Sequence, residues 1–516
     1  MTKREAELEK ENAHLKEQIV LLEKKYTEKI ALLEQKIDVL MRRLYEATSE
    51  KISPSQNEDE EPGKSETSSG SDVAPEEDAP KDKPRSKRKK GCKKPYPKNL
   101  AIVIDAIIIP DEVAADPDNW EEIGEDYQDL WDMTPAQYFI RRTINKRYKH
   151  KGDKSRPPVQ AAMPSPPVAG TRCTPGFAAY LLISKYCDHL PQYRIEQILK
   201  TRYIIDMPRQ KLNRWNTAIA ERFRPILEAI QGEMLASQYL QIDETPIRYL
   251  EPGHGKTKRG YLWIYNDPHG AVYYDWATGR GHENLLRVLG SKEGKHFIGI
   301  IQCDGHTAYQ TMANYYGEDI RLAACLAHIR RKFYEARHTD KQLVAVIIRL
   351  IAHLYRIEKR LREQNASPAL REAVRSAESA PLYKRLHKII LMLEPRYRPE
   401  HLLAKAISYA LNQWDKQLVH LTNGQLEIDN NFAENAVRPT KLGMKNWMFF
   451  GNAEAGWVSA CIYTLVENCK RQGLNPEAYI KEVLTHLPDN PTPAEAAELT
   501  PCKIAAASRH SSKRST

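Results

Sequence analysis

No apolar run in this chain approaches the roughly twenty residues needed to cross a bilayer. The N-terminus, MTKREAELEKENAHLKEQ, is charged where a secretion signal would be apolar. A membrane partner is not expected, and the expected compartment is the cytoplasm. Cysteine is sparse: eight residues (Cys92, Cys173, Cys187, Cys303, Cys325, Cys461, Cys469 and Cys502) are scattered without one CxxC pair. That spacing argues against a disulfide framework. Glycine and proline are missing from residues 1–48, which leaves nothing there to interrupt a helix. Charge is what the sequence has instead: 28% Asp, Glu, Lys and Arg, with a formal net charge of +10. An excess of Lys and Arg suits a polyanionic partner, because each one placed at a phosphate releases a counterion. The 516 residues, 41% of them hydrophobic, leave room for about two or three domains with real cores.

Within residues 1–48, Leu8, Leu15, Ile19, Leu22, Tyr26, Ile30, Leu33, Ile37, Leu40 and Leu44 form an apolar seam between charged positions. The steps mostly alternate four and three, with a stutter at Tyr26, and Asn12 falls at an a-type position that fixes register in a parallel pair. The segment reads as a coiled-coil dimerisation helix, giving a homodimer or higher homo-oligomer; a single amphipathic helix is the other reading. Residues 49–98 are rich in Ser, Glu, Asp, Pro and Lys and bury too little to fold, so a disordered linker is expected. It is acidic first, then basic around Arg88, Lys89 and Lys90. Those three are candidate DNA contacts, and a merely solvated linker accounts for them equally. Short apolar runs over 99–157 suggest a small β-rich module, and 158–237 turns helical. Ile198 to Thr217 has the length of a helix-turn-helix, although ordinary helical packing explains it too.

From 238 the rhythm becomes short β-rich runs at 239–243, 261–265, 271–276 and 298–303, with a fifth at 321–325. Amphipathic helices follow over about 328–420, and another starts near Asn430. Strands first and helices after predict an α/β layer, over 238–485, carrying a large helical insertion. Residues 486–516 read as a C-terminal tail.

Two of the strands end on an aspartate: Gln241-Ile242-Asp243 and Gln302-Cys303-Asp304. Acids at neighbouring strand ends repel each other, and a hard divalent cation relieves that repulsion while leaving positions open for phosphate oxygens and water. A third acid is available at Glu434, on the first turn of the helix that Asn430 is placed to cap. Arg438, Lys441 and Lys445 share its face. Carboxylates for metal with bases beside them suit a phosphodiester. Taken singly, each acid is equally a turn or cap residue; the set of three points to chemistry.

The run Lys185-Tyr186-Cys187-Asp188-His189-Leu190-Pro191-Gln192-Tyr193-Arg194, with Asp243-Glu244-Thr245, Asp304-Gly305, Leu426 to Asn431 and Gly443-Met444-Lys445-Asn446-Trp447, resembles the large transposase of insertion-sequence family sixty-six. The resemblance covers about residues 100–485 and is most specific over Glu427 to Trp447. It implies an RNase H-like core and a DDE triad of Asp243, Asp304 and Glu434, with the insertion between the second and third acids. It further implies two Mg²⁺ ions, replaceable by Mn²⁺, and terminal inverted repeats and target DNA as partners. Small accessory proteins of the same element and a nucleoid-associated life in a prokaryotic host belong to the same expectation. Arg438, Lys441 and Lys445 would then meet phosphates, and Trp447 would stack on an unpaired base or serve as plain core. Cys325 and His328, spaced C-x-x-H, match a feature of these families; as a ligand pair they lack partners and are expected to be structural. His306 is read as supporting the site from behind. The chain departs from the family where paired cysteines of an N-terminal zinc module are expected: the stretches around Ala115–Trp120 and Tyr148–Asp153 hold none. His150 alone cannot hold zinc, so no zinc is expected. A catalytically inactive DNA-binding protein with the same fold, and a plain RNase H-like nuclease, are the competing readings.

Overall fold

The computed structural model describes residues 136–148, 151, 157, 159–162 and 168–514. The coiled-coil segment, the linker with Arg88, Lys89 and Lys90, and most of the 99–157 module lie outside the described residues. A two-residue antiparallel ribbon, β1 (Arg147–Tyr148) with β2 (Val159–Gln160), is the first regular structure among the described residues. Four helices follow: α1 (Pro175–Tyr186), α2 (Gln192–Tyr203), α3 (Arg209–Arg222) and α4 (Arg224–Leu235). Thr174 caps α1 by accepting the Phe177 N–H at 3.3 Å, with Pro175 pre-set for the first turn. Ile204 ends α2 in the left-handed region and Pro208 precedes α3, so the 198–217 segment is a helix, a turn and a helix. Its apolar residues Leu199, Leu212 and Trp215 are buried in the main core.

The central sheet has five strands: β3 (Tyr239–Tyr249), β4 (Lys258–Asn266), β5 (Val272–Ala277), β6 (Gly299–Cys303) and β7 (Ile320–Ala324), in the order β5-β4-β3-β6-β7. The pairs β3–β4 and β4–β5 are antiparallel, whereas β3–β6 and β6–β7 are parallel, so the sheet is mixed. Helix α5 (His282–Leu289) leads into β6 and α6 (Thr307–Tyr316) connects β6 to β7. Six helices then form the insertion: α7 (Leu326–Glu335), α8 (Lys341–Glu363), α9 (Pro368–Val374), α10 (Ala380–Leu393), α11 (Leu402–Asn412) and α12 (Trp414–Leu418). They enclose a core of their own around Ile347, Leu354, Tyr383, Leu386 and Trp414. After it come α13 (Asn431–Trp447), α14 (Ala453–Arg471), α15 (Pro476–His486), α16 (Pro493–Glu498) and α17 (Pro501–Arg514).

Strand alternation decides which helices cover which face. Leu240 and Ile242 pack with residues of α5 and α6 on one side. Ile247 and Tyr249, of the other parity, pack with α13 and α14. The α14 contact is close because Trp276 lies between two glycines: a Cβ on Gly260 would come within 2.4 Å of its ring, and one on Gly456 within 2.3 Å. Past α15, Leu487, Ala496, Thr500 and Ala505 are buried in the core. Thr492 and Glu495 form a capping box on α16, Ala496 is fully buried, and the Thr500 hydroxyl donates to Glu233 at 2.8 Å. No helix among the described residues is long and apolar enough to cross a membrane.

One feature of β3 positions the site. Strand β6 pairs with it only as far as Gln241↔Gln302, while β4 accompanies the other edge to Tyr249↔Lys258. Phe450, just beyond α13, takes up the vacated edge: its N–H donates to the Arg248 carbonyl and its carbonyl accepts from Leu250, each at 2.9 Å. Between these two contacts one edge of β3 is open.

Candidate active site

Asp243 lies on β3 at the start of the open stretch, on the face that α13 covers. Asp304 follows the last residue of β6, and Glu434 lies in the first turn of α13. The three come together. Burial first, and then the charges of Glu244, Glu434 and Asp304, raise the Asp243 carboxyl to about 7. Asp304 Oδ1 accepts the His306 N–H at 2.9 Å, and His306 caps α6 through Nδ1. His306 thus ties the loop after Asp304 to the start of α6. Gly305 lets the insertion approach: a Cβ there would lie 2.9 Å from the Tyr409 ring and 3.0 Å from the Gln413 amide.

The cap on α13 differs from expectation. Asn430 is fully buried and its side chain caps nothing; neither its amide nitrogen nor its oxygen has a partner among the described residues. Asp429 does the work through Oδ1, which accepts the Asn431 N–H at 3.2 Å, while the Tyr355 hydroxyl of α8 donates to its other oxygen at 2.8 Å. The expectation that Cys325 and His328 lack a third partner is also corrected. Ligand atoms of Cys325, His328 and Glu434 lie within 4.8 Å of one another. The sequence hid this because Glu434 arrives from beyond the insertion. His328 Nδ1 and Glu434 Oε1 face each other at 3.9 Å, buried and without hydrogen bonds, and Arg331 approaches the same oxygen at 3.7 Å. Burial and the Arg331 charge hold His328 below its ordinary pKa. Burial pushes the Cys325 thiol up to about 12, and its sulfur accepts the Asn430 N–H.

Four supporting residues have no counterpart in the motif reading. Gln241 and Gln302, each two residues before an aspartate and therefore on its face, are fully buried and bonded to each other at 3.0 Å. Gln241 donates to the Asp429 carbonyl at 2.9 Å and accepts the Ala433 N–H at 3.2 Å; Gln302 donates to the carbonyls of Ala324 and Glu427, both at 3.0 Å. The pair ties both aspartate strands to the lead-in of α13. On the opposite side Arg280 binds the buried Glu244 carboxylate, which also accepts the Tyr309 hydroxyl at 2.6 Å. One guanidinium nitrogen of Arg280 stands 3.9 Å from Asp304. The period-two spacing of Gln241 and Gln302 was a signal available in sequence; for Arg280 and Arg331 there was none.

Arg438, Lys441 and Lys445 are all exposed on α13. Trp447 is half-buried, with its ring stacked on Phe450 at 4.8 Å and close against Gly443.

Residues 170–457 match the family model described as Transposase IS66 family. The chain belongs to the IS66 transposase family. Its residues 464–502 match the IS66 C-terminal element, which spans the end of α14 and the helices up to the start of α17. Two proteins of Sinorhizobium fredii are similar to this IS66 chain. Uncharacterized protein y4jD is 32% identical over 378 residues, 71% of this chain and 72% of that protein. Uncharacterized protein y4qI is 30% identical over 508 residues, 93% of this chain and 90% of that protein.

Proposed function

We propose that this IS66 chain is a DDE transposase with an RNase H-like core, which cuts and joins DNA strands with Asp243, Asp304 and Glu434 as ligands for two Mg²⁺ ions. The observation that carries the reading is the convergence of three carboxylates from β3, β6 and α13 at one open strand edge, with Asp243 raised to about 7 by burial and by its neighbours' charges. Mutual repulsion of that kind is what a divalent cation relieves, and all-oxygen donors suit Mg²⁺ or Mn²⁺. The orphaned Glu434 Oε1 has a lone pair free for such a bond. The chemistry supplied by a bound ion pair is activation of a water or 3′-hydroxyl and neutralisation of the leaving oxygen.

The chain's own residues do the rest. Gln241 and Gln302 hold the three acids in register. Arg280 and Arg331 stand on either side of them, ready to bind non-bridging phosphate oxygens. Arg438, Lys441 and Lys445 neutralise phosphates beyond the cut, and Cys325, His328 and His306 fix the loops that carry the acids. The 1–48 segment pairs two such chains on two DNA ends, and Arg88, Lys89 and Lys90 add phosphate contacts from the linker.

The test is strand cleavage and joining on a duplex carrying the element's own end, with Mg²⁺ or Mn²⁺. The native chain cuts; Asp243→Asn and Glu434→Gln bind the duplex equally well and do not cut. A native chain that binds ends but never cuts, even with its accessory proteins, would make it a DNA-binding protein that keeps the fold.

A further inference from the structure

The open edge of β3 has a second end. From the acids, α13 runs beside the strand and stops at Trp447; Met448 follows at φ +60°, a left-handed conformation rare for a residue with a side chain. Both sides of this turn are pinned. Trp447 stacks on Phe450, and Phe450 is bonded to β3 through Arg248 and Leu250. The backbone is therefore held in a costly shape that presents Met448, 67% exposed, and Phe449, 37% exposed, to solvent. A strained, rigidly propped and apolar tip beside a functional site calls for an occupant.

Charge decides which. The exposed face of α13 between the acids and the tip carries Arg438, Lys441 and Lys445, none with an ion-pair partner among the described residues. Glu434 shares that face. A polyanion lying along it with one end at the acids has its other end at Met448.

We propose that Met448, backed by Phe449, is a wedge that enters a base step of the duplex flanking the scissile phosphate and unstacks it. This rests on the reading of the acids as a DNA-cutting centre. Two estimates set the distance. The helical rise from Glu434 to Met448 gives about 21 Å at ~1.5 Å per residue, and β3 from Asp243 to Tyr249, where Phe450 is attached, gives about 20 Å at ~3.3 Å per residue. At ~3.4 Å per base pair, the wedged step lies about six base pairs from the cut. Insertion of an apolar side chain from the minor groove partly unstacks the step and kinks the duplex toward the major groove.

The experiment uses the full chain and duplexes carrying the element's own end, with 2-aminopurine placed at one position after another from the cleavage point. With native protein, fluorescence rises at steps about five to seven base pairs from the cut, as unstacking a base at that spacing requires. It stays flat there with Met448→Ala and Met448→Gly, while Asp243→Asn keeps the rise and loses cleavage. Met448→Gly melts no lower than native, since glycine is at ease at positive φ, so loss of the signal is not loss of the fold. A rise that survives both Met448 variants, or native binding and cleavage with no rise at any of those steps, overturns the wedge. Failure of the native chain to bind or cut the duplex overturns the catalytic reading instead.

Discussion

Replacing Gln241 by Leu should disable the site far more than it destabilises the protein. The side-chain oxygen accepts the Ala433 N–H, and the two N–H groups of its amide nitrogen are shared among the Tyr239 hydroxyl, the Gln302 oxygen and the Asp429 carbonyl. All are buried, and leucine fills a similar volume without replacing any. Partners left unpaired cost about 1–3 kcal/mol each, but the Tyr239 hydroxyl and Gln302 keep each other. The net loss is therefore about 2–6 kcal/mol. The catalytic effect follows from where the lost bonds lie. Asp429 and Ala433 flank the first turn of α13, and a shift of about 1 Å in Glu434 costs on the order of 100-fold in rate. Metal-dependent cleavage of an end duplex, measured per folded molecule alongside a thermal melt, reads both quantities. Gln417→Leu is the control: Gln417 is equally buried but hydrogen-bonds Tyr383 within the insertion, so it should lower the melt and leave cleavage nearly unchanged. If Gln241→Leu lowers the melt yet cleaves within about threefold of native, the glutamine pair does not position the acids.

Three other outcomes follow from buried groups. Burial first, and the Arg375 charge second, hold His420 at about 4 against an ordinary 6.5, so the folded state keeps it neutral while the unfolded chain takes up a proton. Stability is then full above about 6.5 and falls by about 3 kcal/mol as pH drops to 4; urea titrations should show that slope in native protein and not in His420→Phe. Arg375 is fully buried and paired with Glu358 at 2.7 Å, so Arg375→Met alone should cost about 3–5 kcal/mol, with much recovered in a double variant that also carries Glu358→Leu. A stable single variant would refute the pairing argument. Gly456→Ala drives a Cβ into the Trp276 ring and should lower stability by about 1–3 kcal/mol, relieved by adding Trp276→Phe; no relief would place the strain elsewhere.

The acids were legible because each carries a local sign: a strand run ending on aspartate, or a helix start followed by bases on one face. The five strands were legible for the same reason, although β3 runs on to Tyr249 past the point where it was expected to stop. Pro246 hides that continuation, and it is tolerated because one edge of β3 is open there. The cap on α13 was misread because Asn430 and Asp429 are equally good caps in isolation; the Tyr355 hydroxyl, from the insertion, helps orient Asp429 for the role. Arg280, Arg331 and the Cys325–His328–Glu434 grouping depend on contacts between segments far apart in the chain, and no period or spacing encodes those.

Glu434 lies on the far side of the insertion from the two aspartates, and this gives synthesis a consequence. A ribosome completes β3 and β6 long before it reaches α13, so the emerging chain holds Asp243, Asp304 and their strands before Glu434 exists. Any product that ends early, by frameshift, nonsense mutation or proteolysis within the insertion, keeps the N-terminal segment read as the pairing device and lacks one of the three acids proposed to cut. Such a fragment would occupy partners without breaking a strand, and would act as a dominant brake on its own full-length sibling.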